Sequence, residues 1–143
     1  MKFIDSFYDE TKGFSRVVVQ HLGKKFVGVA NVHPEDKDIA SSFAGCEYAE
    51  IRATIKALKY ERKILKDKTD AAIDFVHACE CYNNFVKDSK TAKTLYRQLN
   101  RRIDRVNKIT DEINNLYRQL EQKQHQRKII LNAVKRYKTK KTK

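Results

Sequence analysis

Residues 95–137 read LYRQLNRRIDRVNKITDEINNLYRQLEQKQHQRKIILNAVKRY, and this stretch decides the fold. Apolar side chains recur along it mostly at intervals of three or four residues, with no Gly or Pro between them: Leu95, Leu99, Val106, Ile109, Ile113, Leu116, Leu120, Ile130 and Val134. Such spacing is typical of a helix that buries one stripe against another helix. At about 1.5 Å per residue this helix would be roughly 60 Å long. We therefore expect a partner helix, from this chain or from another copy.

A β-hairpin is predicted near the N-terminus. Residues 14–22 are rich in β-branched side chains, residues 23–24 fit a tight turn, and the chain returns along 25–32. We predict a hairpin over residues 14–32, preceded at 3–9 by a short strand or a turn. Because one hairpin is marginally stable alone, it must pack on helices or on the strands of another copy.

Two further helices are predicted between the hairpin and the long helix. The first covers about residues 46–66 and places five apolar side chains on one face: Tyr48, Ile51, Ile55, Leu58 and Leu65. The second covers about residues 69–85. A polar loop over residues 83–90 would let the long helix, residues 91–136, fold back antiparallel on both.

These elements define an α+β fold in a single domain over residues 1–136. An N-terminal β-hairpin or small sheet is followed by antiparallel long helices, of which the C-terminal one is coiled-coil-like. Ser89 or Thr91 would cap that helix, since hydroxyl side chains satisfy the free N–H groups of a first turn. We expect the basic tail, residues 137–143, to be disordered.

The composition is typical of a soluble protein. Of its 143 residues, 41% are hydrophobic and 34% are charged, and the mean hydropathy is −0.72. The sequence has no apolar run of about twenty residues, and acidic side chains at Asp5, Asp9 and Glu10 do not fit a signal peptide. We expect a soluble, cytosolic protein that does not enter a membrane.

The positive charge is concentrated in the long helix. Residues 97–143 hold 15 Lys or Arg against 4 Asp or Glu, which accounts for most of the net charge of +13. A basic helix attracts the phosphates of nucleic acid, the phosphates of a nucleotide ligand, or an acidic membrane surface. The alternative is that these cations are a solvated face that keeps the protein soluble.

The sequence contains no recognisable catalytic or metal-binding motif. Cys79 and Cys81 are separated by one residue rather than by the two of a zinc or redox pair, so reduced, packed thiols are favoured. The four histidines are scattered, and neither a P-loop nor a dinucleotide-binding motif occurs. We therefore expect a binding protein rather than an enzyme, with no catalytic residue, no metal and no cofactor.

A row of arginines begins the long helix. Arg97, Arg101 and Arg105 follow one another at intervals of four, so they project from one side and can form bidentate bonds to phosphates. Asp104 could instead bind one of these arginines in a purely structural pair. Arg102 falls near the apolar seam, where a charge marks either the register of the helices or a buried anion.

Aromatic side chains precede this row. Phe75, Tyr82 and Phe85 would offer a surface on which a base could stack, or they belong to the core. Taken alone, their spacing favours the core.

Four stretches in this order resemble the phage-encoded Thoeris anti-defence type 1 family, whose small proteins sequester immune signalling nucleotides. They are FYDETKGF (7–14), VHPED (32–36), GCEYAEIRA (45–53) and RQLNRRID (97–104). The resemblance covers most of the chain, although none of the four stretches is diagnostic alone.

The resemblance implies a homodimer or larger oligomer, in the cytoplasm of the infected bacterial host. A protein of this family would bind cyclic ADP-ribose isomers without degrading them. As in some family members, it would also bind cyclic oligonucleotides at a separate site. The family's ligand arginines would fall on Arg97 and Arg101. Its stacking aromatic would be Phe75 or Phe85, and its base-reading amide would be Asn84.

Two other functions remain open. A hairpin followed by the helical stretch AEIRATIKAL (49–58) is similar to double-stranded RNA-binding domains, and the net charge supports nucleic-acid binding. Against it, the first helix and the third strand of that fold are not predicted. The remaining alternative is a purely structural coiled-coil protein.

Overall fold

The computed structural model describes residues 1–9, 11–31, 42–82 and 86–142. Three strands come first: β1 (Lys2–Asp9), β2 (Phe14–His21) and β3 (Lys24–Asn31). Two long helices follow: α1 (Ser42–Glu80) and α2 (Lys90–Thr142). The predicted α+β class, with a small N-terminal sheet followed by long helices, is confirmed.

The strands form one antiparallel sheet in the order β1-β2-β3. Its hairpin β2–β3 turns at Leu22-Gly23 rather than at residues 23–24, because His21 pairs with Lys24. Both turn residues have positive φ, 52° for Leu22 and 75° for Gly23, as a type I′ turn requires. β1 is a complete strand, so three strands precede α1. The sequence pattern did not predict the third strand of a double-stranded RNA-binding domain, and its absence counted against that fold. Residue 32, the predicted end of the hairpin, lies outside the described residues.

α1 replaces the two helices predicted over 46–66 and 69–85 with one continuous helix. The two residues that were expected to separate them include neither Gly nor Pro. The Thr69 hydroxyl donates a hydrogen bond to the Leu65 carbonyl oxygen at 2.7 Å, a bond that helix interiors accommodate, instead of capping a new helix.

α2 begins with the predicted cap and extends further than predicted. The Ala92 N–H donates to Ser89 Oγ at 3.1 Å, which assigns the cap to Ser89 rather than to Thr91. Residues 137–142, expected to be disordered, continue the helix, since they include no Gly or Pro and are rich in Lys, a good helix former. Within the described residues, neither helix has a stretch long and apolar enough to cross a membrane.

The chain divides into two compact units, the first comprising Met1–Ala57 and Asn114–Lys143, and the second Leu58–Ile113. In the first unit, small side chains of the sheet and of α1 form the core: Val17, Val19, Ala30, Ala49, Ala53 and Ala57. A Cβ atom at Gly28 would collide with the Ala49 carbonyl oxygen. The absence of that Cβ therefore lets α1 approach β3 closely.

Side chains of α1 also cover the outer edge of β3. Arg52 Nη1 donates to the Val29 carbonyl oxygen at 2.6 Å, and Lys56 Nζ donates to the Val27 carbonyl oxygen at 2.8 Å. An uncovered strand edge is a template for unwanted pairing. These two bonds protect the edge that the order β1-β2-β3 leaves open at β3.

The second unit is a helical hairpin. The Tyr96 hydroxyl donates to Glu80 Oε1 at 2.8 Å, and Arg105 Nη2 binds Glu61 Oε1 at 3.2 Å. Residue numbers rise along α2 as they fall along α1, so the two helix segments are antiparallel here, as predicted. Among the described residues of this unit, five apolar side chains are buried: Leu58, Val76, Ala92, Ile109 and Ile113.

Candidate functional site

The three arginines of the predicted row do not all line the same groove of the second unit. Arg101 and Arg105 line an open groove of about 550 Å³, called the Arg101 groove below. Its lining residues are Glu61, Arg101, Asp104, Arg105, Lys108, Ile109 and Glu112. Arg97 is exposed and does not line this groove.

The Arg101 groove is electrically balanced. Its three cations face three carboxylates, and one carboxylate, that of Glu61, belongs to a residue only 8% exposed. A buried carboxylate requires compensating charge, and the Arg105 guanidinium supplies it at 3.2 Å. Arg105 therefore has the structural role that the sequence suggested for an arginine paired with Asp104, but its partner is on the other helix. Such a groove has little net attraction for an anion.

A second site lies where Phe75 on α1 faces α2. Two adjoining grooves of about 530 and 370 Å³ share Phe75, Leu95 and Gln98; together they form the Phe75 groove. Its remaining lining residues are Lys68, Ala71, Ala72, Val76, Cys79, Lys90, Thr91, Thr94, Leu99 and Arg102. Each volume falls within the roughly 300–1,000 Å³ of small-molecule sites.

The lining of the Phe75 groove is suited to an anionic, planar ligand. Phe75 is 60% exposed, so it is not a core residue. Gln98 adds an amide, while Lys68, Lys90 and Arg102 add positive charge. No carboxylate occurs among the described lining residues, in contrast to the Arg101 groove.

Arg102 is exposed and lines the Phe75 groove. Its side chain is exposed at the edge of the Phe75 groove rather than buried in the seam between the helices. None of the ion pairs in the described part of the chain includes it. The sequence left open a buried charge at this residue, and the structure instead gives Arg102 a solvent-accessible position from which it can contact an anion.

The other predicted site residues are not brought together here. Phe75 does not line the groove that contains Arg101 and Arg105. Asn84 and Phe85 lie outside the described residues, and Tyr82, 75% exposed, lines neither groove.

The sequence pattern did not predict which other residues line the groove with Phe75. Lys68 and Ala71 precede Phe75 by seven and four residues, which places all three on one side of a continuous helix. The predicted break between residues 66 and 69 concealed this stripe. On α2, Gln98 and Arg102 are four apart, and that spacing alone indicates that they share one side of the helix.

A hydrogen bond joins the helix ends next to this groove. The Tyr96 hydroxyl donates to the Glu80 carboxylate, and that bond, with burial and the charge of Glu80 adding to it, raises the pKa of Tyr96. The bond to Glu80 therefore favours the protonated phenol, which is the form that donates it. It ties the last turn of α1 to the second turn of α2, adjacent to the lining residues Cys79 and Leu95.

In the part of the chain that the structure describes, no three His, Cys, Asp or Glu side chains are grouped to hold a metal ion. Comparisons with protein family models, with curated proteins and with solved structures found no match to this chain. The chemistry of the groove and the resemblance of the four short sequence stretches are therefore the two sources from which a function can be inferred.

Proposed function

We propose that this protein binds and sequesters a signalling cyclic nucleotide without cleaving it. The ligand class is a cyclic ADP-ribose isomer or a cyclic oligonucleotide, as the resemblance to the Thoeris anti-defence type 1 family implies. One observation supports this proposal most: the Phe75 groove combines an exposed aromatic ring, an amide and three cations, with no carboxylate among its described lining residues.

Stacking on Phe75 would supply the contact with the base. An aromatic ring that is 60% exposed in the free protein has little to do with stability, whereas stacking of a base on such a ring contributes about 1–3 kcal/mol. Gln98, which lines both parts of the groove, can donate and accept hydrogen bonds at the edge of a stacked base.

The three cations would bind the phosphates. Lys68 and Arg102 lie at one part of the groove and Lys90 at the other, so cations are available to the phosphates of a cyclic nucleotide along the length of the groove. Hydrogen bonds to charged groups contribute about 1.5–3 kcal/mol each. Stacking and two such contacts together sum to about 4–9 kcal/mol, which corresponds to affinities between about millimolar and submicromolar.

Sequestration requires affinity but no reaction. The described lining residues offer stacking, hydrogen bonding and positive charge, and one thiol, that of Cys79. Because the groove is open, a second element must cover the ligand. In this proposal a second copy of the chain, in a homodimer or larger oligomer, provides that cover. The protein would act in the cytoplasm of an infected bacterial host.

Calorimetric titration with cyclic ADP-ribose isomers and with cyclic dinucleotides tests the proposal. We expect saturable binding of at least one of them, and recovery of the unchanged nucleotide after the complex is denatured. Chromatography and mass spectrometry of the released ligand provide the measurement. A chemically altered nucleotide would mean that the protein is an enzyme, and absence of binding by both classes would refute the proposal.

Arginine variants distinguish a ligand bound in the Phe75 groove from a ligand bound at the arginine row predicted from the sequence. We expect Arg102→Gln to weaken nucleotide binding about tenfold or more, since it removes a charged hydrogen-bond donor from the Phe75 groove. Arg97→Gln is the matched control, because it removes the same charge from an exposed position outside both grooves. If Arg97→Gln and Arg101→Gln weaken binding while Arg102→Gln does not, the ligand is held by the arginine row predicted from the sequence instead.

A further inference from the structure

The last part of α2 is the most positively charged part of the chain. Residues 114–142 contain nine Lys or Arg and a single acidic residue, Glu121, after which no acid follows. The groove proposed above lies in residues 58–113 and does not use any of these cations. Their concentration in one helical segment therefore needs a separate explanation.

Five of these cations form one surface, called the basic face here. Their side chains are exposed, and no ion pair of the described residues includes them: Arg118, Lys128, Lys135, Arg136 and Lys140. At about 100° per residue they fall within a sector roughly 140° wide, which also contains Glu121, the one acidic side chain of residues 114–142. Leu120 and Val134, which are half-buried, lie on the other side of the helix.

Lys123, another cation of this segment, makes a structural contact instead. Lys123 Nζ binds Glu47 Oε2 of α1 at 2.8 Å, and its side chain is only 29% exposed. Leu131 is buried nearby along the same helix. Within the first unit, this segment is thus held to α1 on one side, and the side chains of its basic face are exposed.

We propose that the basic face binds double-stranded DNA. Duplex DNA carries one negative charge per about 1.7 Å of its axis, and the basic face extends over about 33 Å from Arg118 to Lys140 at 1.5 Å per residue. A straight α-helix fits the major groove of B-DNA, about 12 Å wide. The deep, narrow major groove of an RNA duplex does not admit one.

Exposed amides between the cations agree with this partner. Gln122, Gln124 and Asn132 are exposed on the same segment, and amide side chains bind both phosphates and base edges. A membrane surface fits less well. Ile129, 56% exposed, lies among the cations of the basic face, whereas a helix that lies on a membrane keeps its apolar and basic side chains on separate faces.

Fluorescence anisotropy with a labelled 30-base-pair DNA duplex tests this proposal on the full chain. Five neutralised phosphates predict that affinity falls about 500-fold between 50 and 200 mM salt. Replacing four residues of the basic face by Gln (Lys128→Gln, Lys135→Gln, Arg136→Gln and Lys140→Gln) should reduce affinity at least 100-fold at 100 mM salt and nearly abolish the salt dependence.

A matched control removes the same charge elsewhere. Lys63, Lys66, Lys87 and Lys93 are exposed in the second unit and line neither groove, and their replacement by Gln should leave DNA affinity within about threefold. Equal loss in the two variants would overturn the proposal, since it would show attraction by net charge alone. Both variants should keep cyclic nucleotide binding, so failure of DNA binding is distinguishable from failure of the proposed function.

Alternative partners are further outcomes of the same experiment. An RNA duplex of the same sequence and single-stranded DNA should each bind at least tenfold more weakly than duplex DNA. Tighter binding to either, tighter binding to vesicles with 30% anionic lipid, or absence of binding to duplex DNA at 50 mM salt would overturn the proposal.

Discussion

Leu22 occupies a backbone conformation that leucine rarely adopts. Its φ of 52° lies in the left-handed region, next to Gly23 at 75°, and such a conformation costs a residue with a Cβ about 1–2 kcal/mol. The side chain is 56% exposed, so packing does not offset that cost. The sequence prediction placed the turn one residue late because Leu is an unusual choice for a type I′ turn, where Asn or Gly is expected.

Leu22→Asn should therefore stabilise the protein by about 1 kcal/mol, since Asn tolerates positive φ. The free energy of unfolding in urea measures the effect. Leu22→Ala is the control, because it removes the exposed side chain but keeps the conformational cost. If Leu22→Ala stabilises as much as Leu22→Asn, the backbone conformation is not the cause.

Gly28 determines how closely α1 approaches the sheet. A Cβ at this position meets the carbonyl oxygen of Ala49, an atom of the helix backbone that cannot rotate away. Gly28→Ala should therefore destabilise the protein by about 1–3 kcal/mol, the typical cost of overpacking a core. Urea denaturation again provides the measurement. Val27→Ala, on the same strand with a side chain 37% exposed, should cost clearly less; an equal cost would show that strand propensity, not the collision, is responsible.

At the scale of elements, α2 could be predicted almost completely, whereas α1 could not. The apolar spacing of three and four along α2 runs without Gly or Pro, so its existence and its direction relative to α1 in the second unit follow from the pattern. In α1 the apolar stripe weakens around residues 66–69. Sequence alone does not show that the Thr69 hydroxyl bonds back to the preceding turn instead of starting a new helix.

Arg105 should contribute to stability rather than to ligand binding. Arg105→Ala removes a guanidinium from the buried Glu61 carboxylate, and we expect a loss of about 1 kcal/mol, because the Arg105 side chain is itself 66% exposed and its charge is screened. Thermal unfolding and nucleotide titration of the same variant separate the two roles. Arg101→Ala is the control, with an expected change in stability below about 0.5 kcal/mol. A loss of ligand affinity in Arg105→Ala at unchanged stability would contradict this assignment.

At the scale of the whole molecule, the sequence predicts an anionic ligand, whereas the pairing of the two helices decides which cations of the second unit face carboxylates. The excess charge and the arginine row indicate an anion, but only the structure shows that Glu61, Asp104 and Glu112 balance the cations of the Arg101 groove. Glu61 is distant from them in the sequence, and its position depends on the pairing of the two helices. The surface around Phe75, which has no carboxylate among its described lining residues, depends on the same pairing.

A bound nucleotide should stabilise the folded protein. A ligand at one hundred times its dissociation constant adds about 2.7 kcal/mol, which for a chain of this size corresponds to a rise in melting temperature of roughly 5–10 °C. Scanning fluorimetry with increasing nucleotide measures the shift. Adenosine without phosphate serves as the control and should give a much smaller shift. A shift of the same size with adenosine would mean that the cations of the Phe75 groove do not bind the ligand.

The central claim is that the ligand is held in the Phe75 groove, and calorimetric titration of two aromatic variants tests it most directly. Phe75→Leu and Tyr82→Leu each remove an exposed ring from the second unit, but only Phe75 lines the groove. We predict that Phe75→Leu weakens binding of the cyclic nucleotide about 10- to 100-fold, while Tyr82→Leu binds like the unmodified protein. Unchanged affinity in Phe75→Leu, or an equal loss in both variants, would contradict the claim.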